Sequence, residues 1–268
     1  MSKASSAKNP IIPSNKWIKG KERHGDTTKS GMLQEAIKHF KRAKEINYKS
    51  GDELIEALTS EELSSIYRNL AEYQKALDYA NEALTIFKKI GHSVGEGNGY
   101  ICLGNIYSRL GRFSEAIDYQ KKASEIFLGS KEQTHAGHAF RNLGECYNLN
   151  RQHEEAITSC KIAIKIAEDI GNMEIMHDSF ANMGNAYRLL GKFNEAIEYC
   201  EKSLAICTKR KEVMQSEKCE AICYGVMGTA YTHLDQREKA IIYIEKCIEI
   251  NEKLHNHTDM AIASGNLG

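Results

Sequence analysis

The 268-residue sequence predicts an all-α chain folded as a solenoid of antiparallel helix pairs. Three observations carry that expectation. The first is proline: Pro10 and Pro13 are the only two, and nothing after them interrupts a helix. Sheet-rich folds of this size usually punctuate their turns with proline. The second is a spaced motif, Tyr100-x-x-Leu103-Gly104-x-x-Tyr107. It recurs as Phe140-x-x-Leu143-Gly144-x-x-Tyr147, as Phe180-x-x-Met183-Gly184-x-x-Tyr187, and as Tyr224-x-x-Met227-Gly228-x-x-Tyr231. The third is an alanine series in register with it: Ala36, Ala76, Ala116, Ala156, Ala196 and Ala240. Two interlocked series at a fixed period are the signature of stacked repeats.

Each unit reads as two helices. In the first, the aromatic, Leu or Met, Gly and Tyr fall at i, i+3, i+4 and i+7, one face of a 3.6-residue helix. The closing tyrosines are Tyr67, Tyr107, Tyr147, Tyr187 and Tyr231. A glycine inside a helix costs about 1 kcal/mol relative to alanine. Gly104, Gly144, Gly184 and Gly228 therefore need a packing reason, namely close approach of the partner helix. Leu110-Gly111 and Leu190-Gly191 end first helices, with glycine in the left-handed conformation that closes the last carbonyls. The second helix carries the alanine and, ten residues on, an isoleucine: Ile46, Ile86, Ile126, Ile166, Ile206 and Ile250. Tyr and Ile are expected to fill the space between pairs. Ile90-Gly91 and Ile170-Gly171-Asn172 mark the turns between units.

Taken in order, residues 1–30 form a disordered basic tail that carries Lys3, Lys8, Lys16, Lys19, Lys21 and Arg23. Residues 31–268 form the array. It opens with a lone helix over 32–48, continues as five full repeats over about 53–257, and enters an incomplete helix from 258. A chain that stops at Leu267-Gly268, inside a first-helix motif, is expected to be part of a longer array.

Composition excludes several classes. Lys+Arg and Asp+Glu number 36 each, and this neutral balance argues against a dedicated nucleic-acid binder. No run approaches the ~18 apolar residues of a membrane span. The N-terminus lacks the apolar core of a secretory signal, so a cytoplasmic location is expected. There the eight cysteines stay reduced, as small core residues. Cys219-x₃-Cys223 has no matching second pair, so no metal is expected. Gly95-x-Gly97-x-Gly99 lacks the strand and lysine of a phosphate loop. Lys209-Arg210-Lys211 reads as a dipole complement at a helix end. No catalytic motif is present, and neither cofactor nor small-molecule substrate is expected.

The series resembles the tetratricopeptide repeat, W-x₂-L-G-x₂-Y…A-x₃-F…P. Tyr or Phe replaces the tryptophan, the terminal proline is missing, and the period is 40 rather than 34. Asn142-Leu143-Gly144, Asn182-Met183-Gly184-Asn185 and Gly95-Glu96-Gly97 are similar to the 40-residue subclass. That subclass includes the Partner-of-Inscuteable (LGN) adaptors, tetratricopeptide repeat protein 28 and, more distantly, kinesin light chains. The resemblance implies a right-handed superhelix whose first helices line a concave groove.

The groove-facing candidates are then Arg68, Asn69, Asn98, Asn105, Arg109, His138, Arg141, Asn142, Asn182, Asn185 and Arg188. Asparagine can pair with the main chain of an extended partner, and arginine can clamp its carboxylates. Glu61 and Ser65 stand where a chaperone-tail clamp needs Lys and Asn, which disfavours that ligand. The implied function is a protein-interaction scaffold that binds a partner segment, as in spindle-orientation, cytoskeletal or G-protein-signalling adaptors. The alternative is the sensor arm of a larger signalling protein or enzyme.

Overall fold

The computed structural model describes residues 26–209 and 217–253. Eleven helices occupy them, with no strand among the described residues. They are α1 (Asp26–Ser50), α2 (Glu53–Asn69), α3 (Tyr73–Lys89), α4 (Ser93–Arg109), α5 (Phe113–Ser130), α6 (Gln133–Leu149), α7 (His153–Ile170), α8 (Met173–Leu189), α9 (Phe193–Lys209), α10 (Glu217–His233) and α11 (Arg237–Lys253). Each helix packs on its chain neighbours. First helices also touch the next first helix along the row α2, α4, α6, α8 and α10. This is an all-α solenoid of five antiparallel pairs preceded by a lone helix. Among the described residues no helix is long and apolar enough to cross a membrane.

The lone helix begins at Asp26, so residues 26–30 belong to it and not to a tail ending at 30. The last pair ends at Lys253. Residues 1–25, Arg210, Lys211 and the incomplete helix expected from 258 lie outside the described residues.

The turns explain why the units repeat. At the end of α4, Gly111 has φ 73°, and the Arg112 N–H donates to the Tyr107 carbonyl at 2.9 Å. Gly191 does the same after α8. This six-to-one bond takes up an end carbonyl that no helical donor reaches. The carbonyls of Tyr67, Tyr147 and Tyr231 receive equivalent bonds. The repeating tyrosine thus closes its own helix.

Its ring then stacks on a tyrosine of the second helix. Tyr67–Tyr79, Tyr107–Tyr119, Tyr187–Tyr199 and Tyr231–Tyr243 lie 5.2–5.5 Å apart between centroids. Ser159 replaces the partner opposite Tyr147.

The glycine series meets its packing reason. A Cβ on Gly144 would lie 2.5 Å from Cys160 Sγ and 3.3 Å from the Ala156 carbonyl oxygen. On Gly184 it would meet Cys200 Sγ at 2.6 Å and the Ala196 carbonyl at 3.1 Å. Gly104 faces Gln120 and Gly228 faces Ile244 in the same way. The first pair reverses the bulk: Ser64 stands in the glycine column and Ala80 opposite it. The Ser64 hydroxyl donates to the Ala76 carbonyl at 2.7 Å. Ala76, Ala116, Ala156 and Ala196 are fully buried, and Ala240 nearly so.

The isoleucine series corrects the expected core. Ile46 is 57% exposed, and Ile86, Ile126, Ile166, Ile206 and Ile250 are only half-buried. Ten residues from the alanine fall short of three full turns, whereas eleven complete them within about 20° at 3.6 residues per turn. The deep column is therefore one residue on: Phe87, Phe127, Ala167, Cys207 and Asn251, all buried.

Gly95-x-Gly97-x-Gly99 serves that column. A Cβ on Gly95 would lie 2.3 Å from the Phe87 ring, and one on Gly97 would lie 2.5 Å from the Phe127 ring. The glycines make room for aromatic rings, as overpacking them would force both helices apart.

Candidate functional site: a groove along the first helices

A groove of about 690 Å³ runs along α2, α4 and α6. It gathers six of the predicted residues: Arg68, Asn69, Asn105, Arg109, Arg141 and Asn142. They meet because all sit on first helices at repeat positions three, four or seven residues apart, which share one helix face, and the solenoid stacks those faces side by side. Asn98, His138, Asn182, Asn185 and Arg188 do not line this groove.

Arg68 donates to Ser65 Oγ at 3.3 Å, and Arg109 is exposed. Neither forms an ion pair with a carboxylate among the described residues. Asn69 is exposed at the helix end, and the Asn105 side-chain oxygen accepts from Gln120 Nε2 at 3.1 Å.

Arg141 differs from the expectation of a free, exposed clamp. It is half-buried and ion-pairs through Nη1 with Asp178 of α8. Its Nη2 donates to Asn142 Oδ1 at 2.9 Å, which turns the buried Asn142 inward. Its Nε is buried without a partner. Arg188 is also half-buried, donating to Asn185 Oδ1 at 2.8 and 3.2 Å. Burial pulls its pKa below the usual arginine range. A charged group held out of water is paired locally, and these two arginines are committed within the fold.

One acidic residue, Glu145, lines the groove itself. Glu61 occupies on α2 the repeat position that Arg141 holds on α6. Burial, and then the neighbouring Glu62 charge, push its carboxyl up to about 7. Burial pushes the Cys146 thiol, at the groove floor, up to about 12. His138 is lowered by burial and by the Arg141 charge.

Sequence reasoning missed Asp178, Glu145 and Asn148. Asn148 is buried and donates to the Asn182 carbonyl at 3.0 Å, linking α6 to α8. Asp178 shares its repeat position with Asn98 and His138, so extending that column would have found it.

One buried constellation resembles a catalytic pair. Ser203 Oγ lies 2.6 Å from His177 Nδ1, with Cys207 Sγ 3.2 Å from the same nitrogen. Ser203 and His177 are sealed, at 0% and 1% exposed, so no substrate atom can reach the hydroxyl. The arrangement packs α8 onto α9. None of the eight cysteines forms a disulfide.

Comparison with known proteins agrees with the helical-repeat fold. No curated protein matches the chain. Among solved structures, BtubC (BKLC) from P. vanneervenii is similar, at 17% identity and a TM-score of 0.69, covering 84% of this chain and 91% of that one. Aspartyl phosphate phosphatase F from Bacillus subtilis is similar at 20% identity and 0.65, with 87% and 65% covered. A Rap protein complexed with Competence and Sporulation Factor is similar at 19% and 0.65, with 90% and 70% covered. At such identities the likeness is one of fold. One tetratricopeptide repeat profile matches residues 25–89 and 95–169, and two others match 177–207 and 221–254. The chain belongs to the tetratricopeptide repeat family.

Proposed function

We propose that the chain is a non-catalytic scaffold that holds an extended, acidic segment of a partner protein in the groove along its first helices. The observation that carries this reading is the pair Arg68 and Arg109, two guanidinium groups lining one groove without a carboxylate partner of their own. Arginine's planar fork recognises carboxylates in two-point contact, and a half-enclosed groove strengthens such pairs. Asn69 and Asn105 line the same groove, where Asn69 and the Asn105 amide N–H groups offer hydrogen bonds to a partner's main chain. Arg141 and Asn142 shape the far wall rather than clamp. The 40-residue period and its asparagines support a role similar to the LGN-type spindle-orientation or cytoskeletal adaptors, in the cytoplasm, where free thiols persist.

A panel of acidic peptides and their amide counterparts, with Asn and Gln in place of Asp and Glu, tests the clamp. Acidic peptides should bind, and the amide forms should not. The double variant Arg68→Ala/Arg109→Ala should weaken binding about tenfold or more, since a half-buried charge left unpaired is costly. That loss should shrink in high salt. Lys202→Gln, at an exposed residue of α9, should leave binding intact. Equal binding of acidic and amide peptides, or a double variant that binds like the parent, would show the groove reading wrong.

A further inference from the structure

At the junction of α8 and α10 three ligand-type side chains converge from two repeats. His177, Asp178 and Cys219 each bring one donor atom to within 4.8 Å of the others. The Cys219 thiol already points at Asp178, donating to Oδ1 at 2.9 Å. We propose that these three residues form a structural site for a borderline-soft divalent cation of the zinc type.

The donor set is one imidazole nitrogen, one carboxylate oxygen and one sulfur, the mixture that Zn²⁺ accepts in tetrahedral sites. Bonds of about 2.0–2.3 Å place tetrahedral ligands roughly 3.3–3.8 Å apart. Side-chain rotation of about 1 Å closes the present triangle to that size.

The surroundings are arranged as an outer shell would be. His177 Nδ1 is held by the Ser203 hydroxyl at 2.6 Å and faces the Ser203 carbonyl at 3.3 Å. That leaves Nε2, which lies 3.4 Å from Cys207 Sγ, as the ligating nitrogen. Arg141 holds Asp178 Oδ2, which leaves Oδ1, the oxygen that Cys219 approaches. Metal sites use such partners to fix ring orientation and carboxylate geometry. Asp178 and Cys219 are only partly buried, so an ion has an entry path from the groove rim.

Burial and the Asp178 carboxylate hold the Cys219 thiol protonated without a metal. Binding therefore releases one proton from Cys219 to solvent as the sulfur–metal bond forms. The thiolate left behind balances one of the two cation charges, and Asp178 is shared between the ion and Arg141, so the site as a whole carries one net positive charge. A bound ion ties α8 to α10 and fixes the Arg141 end of the groove wall. The sequence alone could not assemble the site. Cys219 pairs not with Cys223, one turn away, but with residues 41 and 42 positions earlier.

The full chain, stripped with a chelator, is titrated with Zn²⁺ against a chromophoric competitor and separately with Co²⁺. The expected result is one equivalent bound, a raised melting temperature, and a near-ultraviolet sulfur-to-cobalt charge-transfer band. Cys219→Ser should abolish that band, and Asp178→Asn should weaken binding at least tenfold. His39→Ala, at an exposed histidine outside the triangle, should change neither. Circular dichroism checks that each variant is folded, and if Cys219→Ser unfolds, Asp178→Asn decides by its affinity. No uptake by the parent chain overturns the proposal. So does a folded Cys219→Ser variant that keeps the band, or a folded Asp178→Asn variant that binds like the parent.

Discussion

The second and fourth repeats share one backbone and fill the same interior slot in opposite ways. In α4 and α5 the slot is Gly97, Ala123 and Phe127: the first helix gives up its side chain and the second inserts a ring. In α8 and α9 the three equivalent positions are His177, Ser203 and Cys207. The bulk has moved to the first helix, and a buried imidazole is satisfied by a hydroxyl and a thiol. The lesson is that these two repeats place the bulk on opposite helices of the pair, whereas the third, with Gly137, Ala163 and Ala167, leaves the space to Ile166 and Ile175. The glycine column shows the same reversal of bulk, with Ser64 over Ala80 but Gly104 over Gln120. It follows that a change in one column is tolerated only with its complement.

That claim has a direct test, and it carries the largest expected effect. Gly97→His alone drives an imidazole into the Phe127 ring and should lower stability by about 3 kcal/mol or more. His177→Gly alone should cost about 2–3 kcal/mol, by leaving a cavity beside Ser203 and Cys207, although the Ser203 hydroxyl keeps its bond to the residue 177 carbonyl. The triple variant Gly97→His/Ala123→Ser/Phe127→Cys should recover more than half of the first loss. Urea unfolding of the set measures the coupling as departure from additivity. A triple variant no more stable than Gly97→His would mean that the slots are not interchangeable.

A second comparison runs along one column of the groove wall, where Glu61 on α2 and Arg141 on α6 are equivalent. Arg141 has Asp178 as its partner. Glu61 has burial and Glu62, both of which favour its neutral form. Its carboxyl titrates near 4.5 in an unfolded chain and near 7 in the fold. Between those values the unfolded chain has lost a proton that the folded chain keeps. Stability should fall as pH rises from about 4.5 to 7, then level off. Glu61→Gln should flatten most of that slope and raise the melting temperature at pH 8, with little change at pH 4.5. Glu62, shifted the same way by burial, should account for a smaller residual slope. Identical slopes for variant and parent would assign the pH dependence elsewhere.

What the sequence made legible was whatever repeats locally. Tyr, Gly and Ala recur at fixed spacing because each closes or packs its own helix pair, and the pairs could be delimited from those residues alone. The groove was legible where a residue's role depends only on its position on a first helix, as for Arg68 and Arg109. It was not legible where the role depends on a partner one repeat away. Nothing in the spacing says that Arg141 meets Asp178, or that Cys219 meets Asp178 and His177. The isoleucine series misled for a geometric reason: a residue can recur at the repeat period and still sit about 80° off the buried stripe.

The smallest effect concerns the turns, where the third repeat differs from its neighbours. After α4 and α8 the left-handed residue is glycine, but after α6 it is Arg151, at φ 60°. A side chain in that region costs roughly 1–2 kcal/mol, while glycine there adds unfolded-chain entropy of about 0.5–1 kcal/mol against folding. The difference favours glycine, so Arg151→Gly should stabilise by about 0.5–1 kcal/mol, and Gly191→Arg should destabilise by a similar amount. At roughly 2–4 °C per kcal/mol for a chain of this size, both shifts are near the limit of a melting curve. Because repeat arrays open locally, amide exchange is the sharper measurement. The Gln152 N–H, bonded to the Tyr147 carbonyl at 2.8 Å, reports directly on this turn. It should exchange more slowly in Arg151→Gly, while Arg112, in the turn that already has its glycine, should not change. Slowing at both would point to a global effect, and no slowing at Gln152 would mean that the positive φ stores no strain.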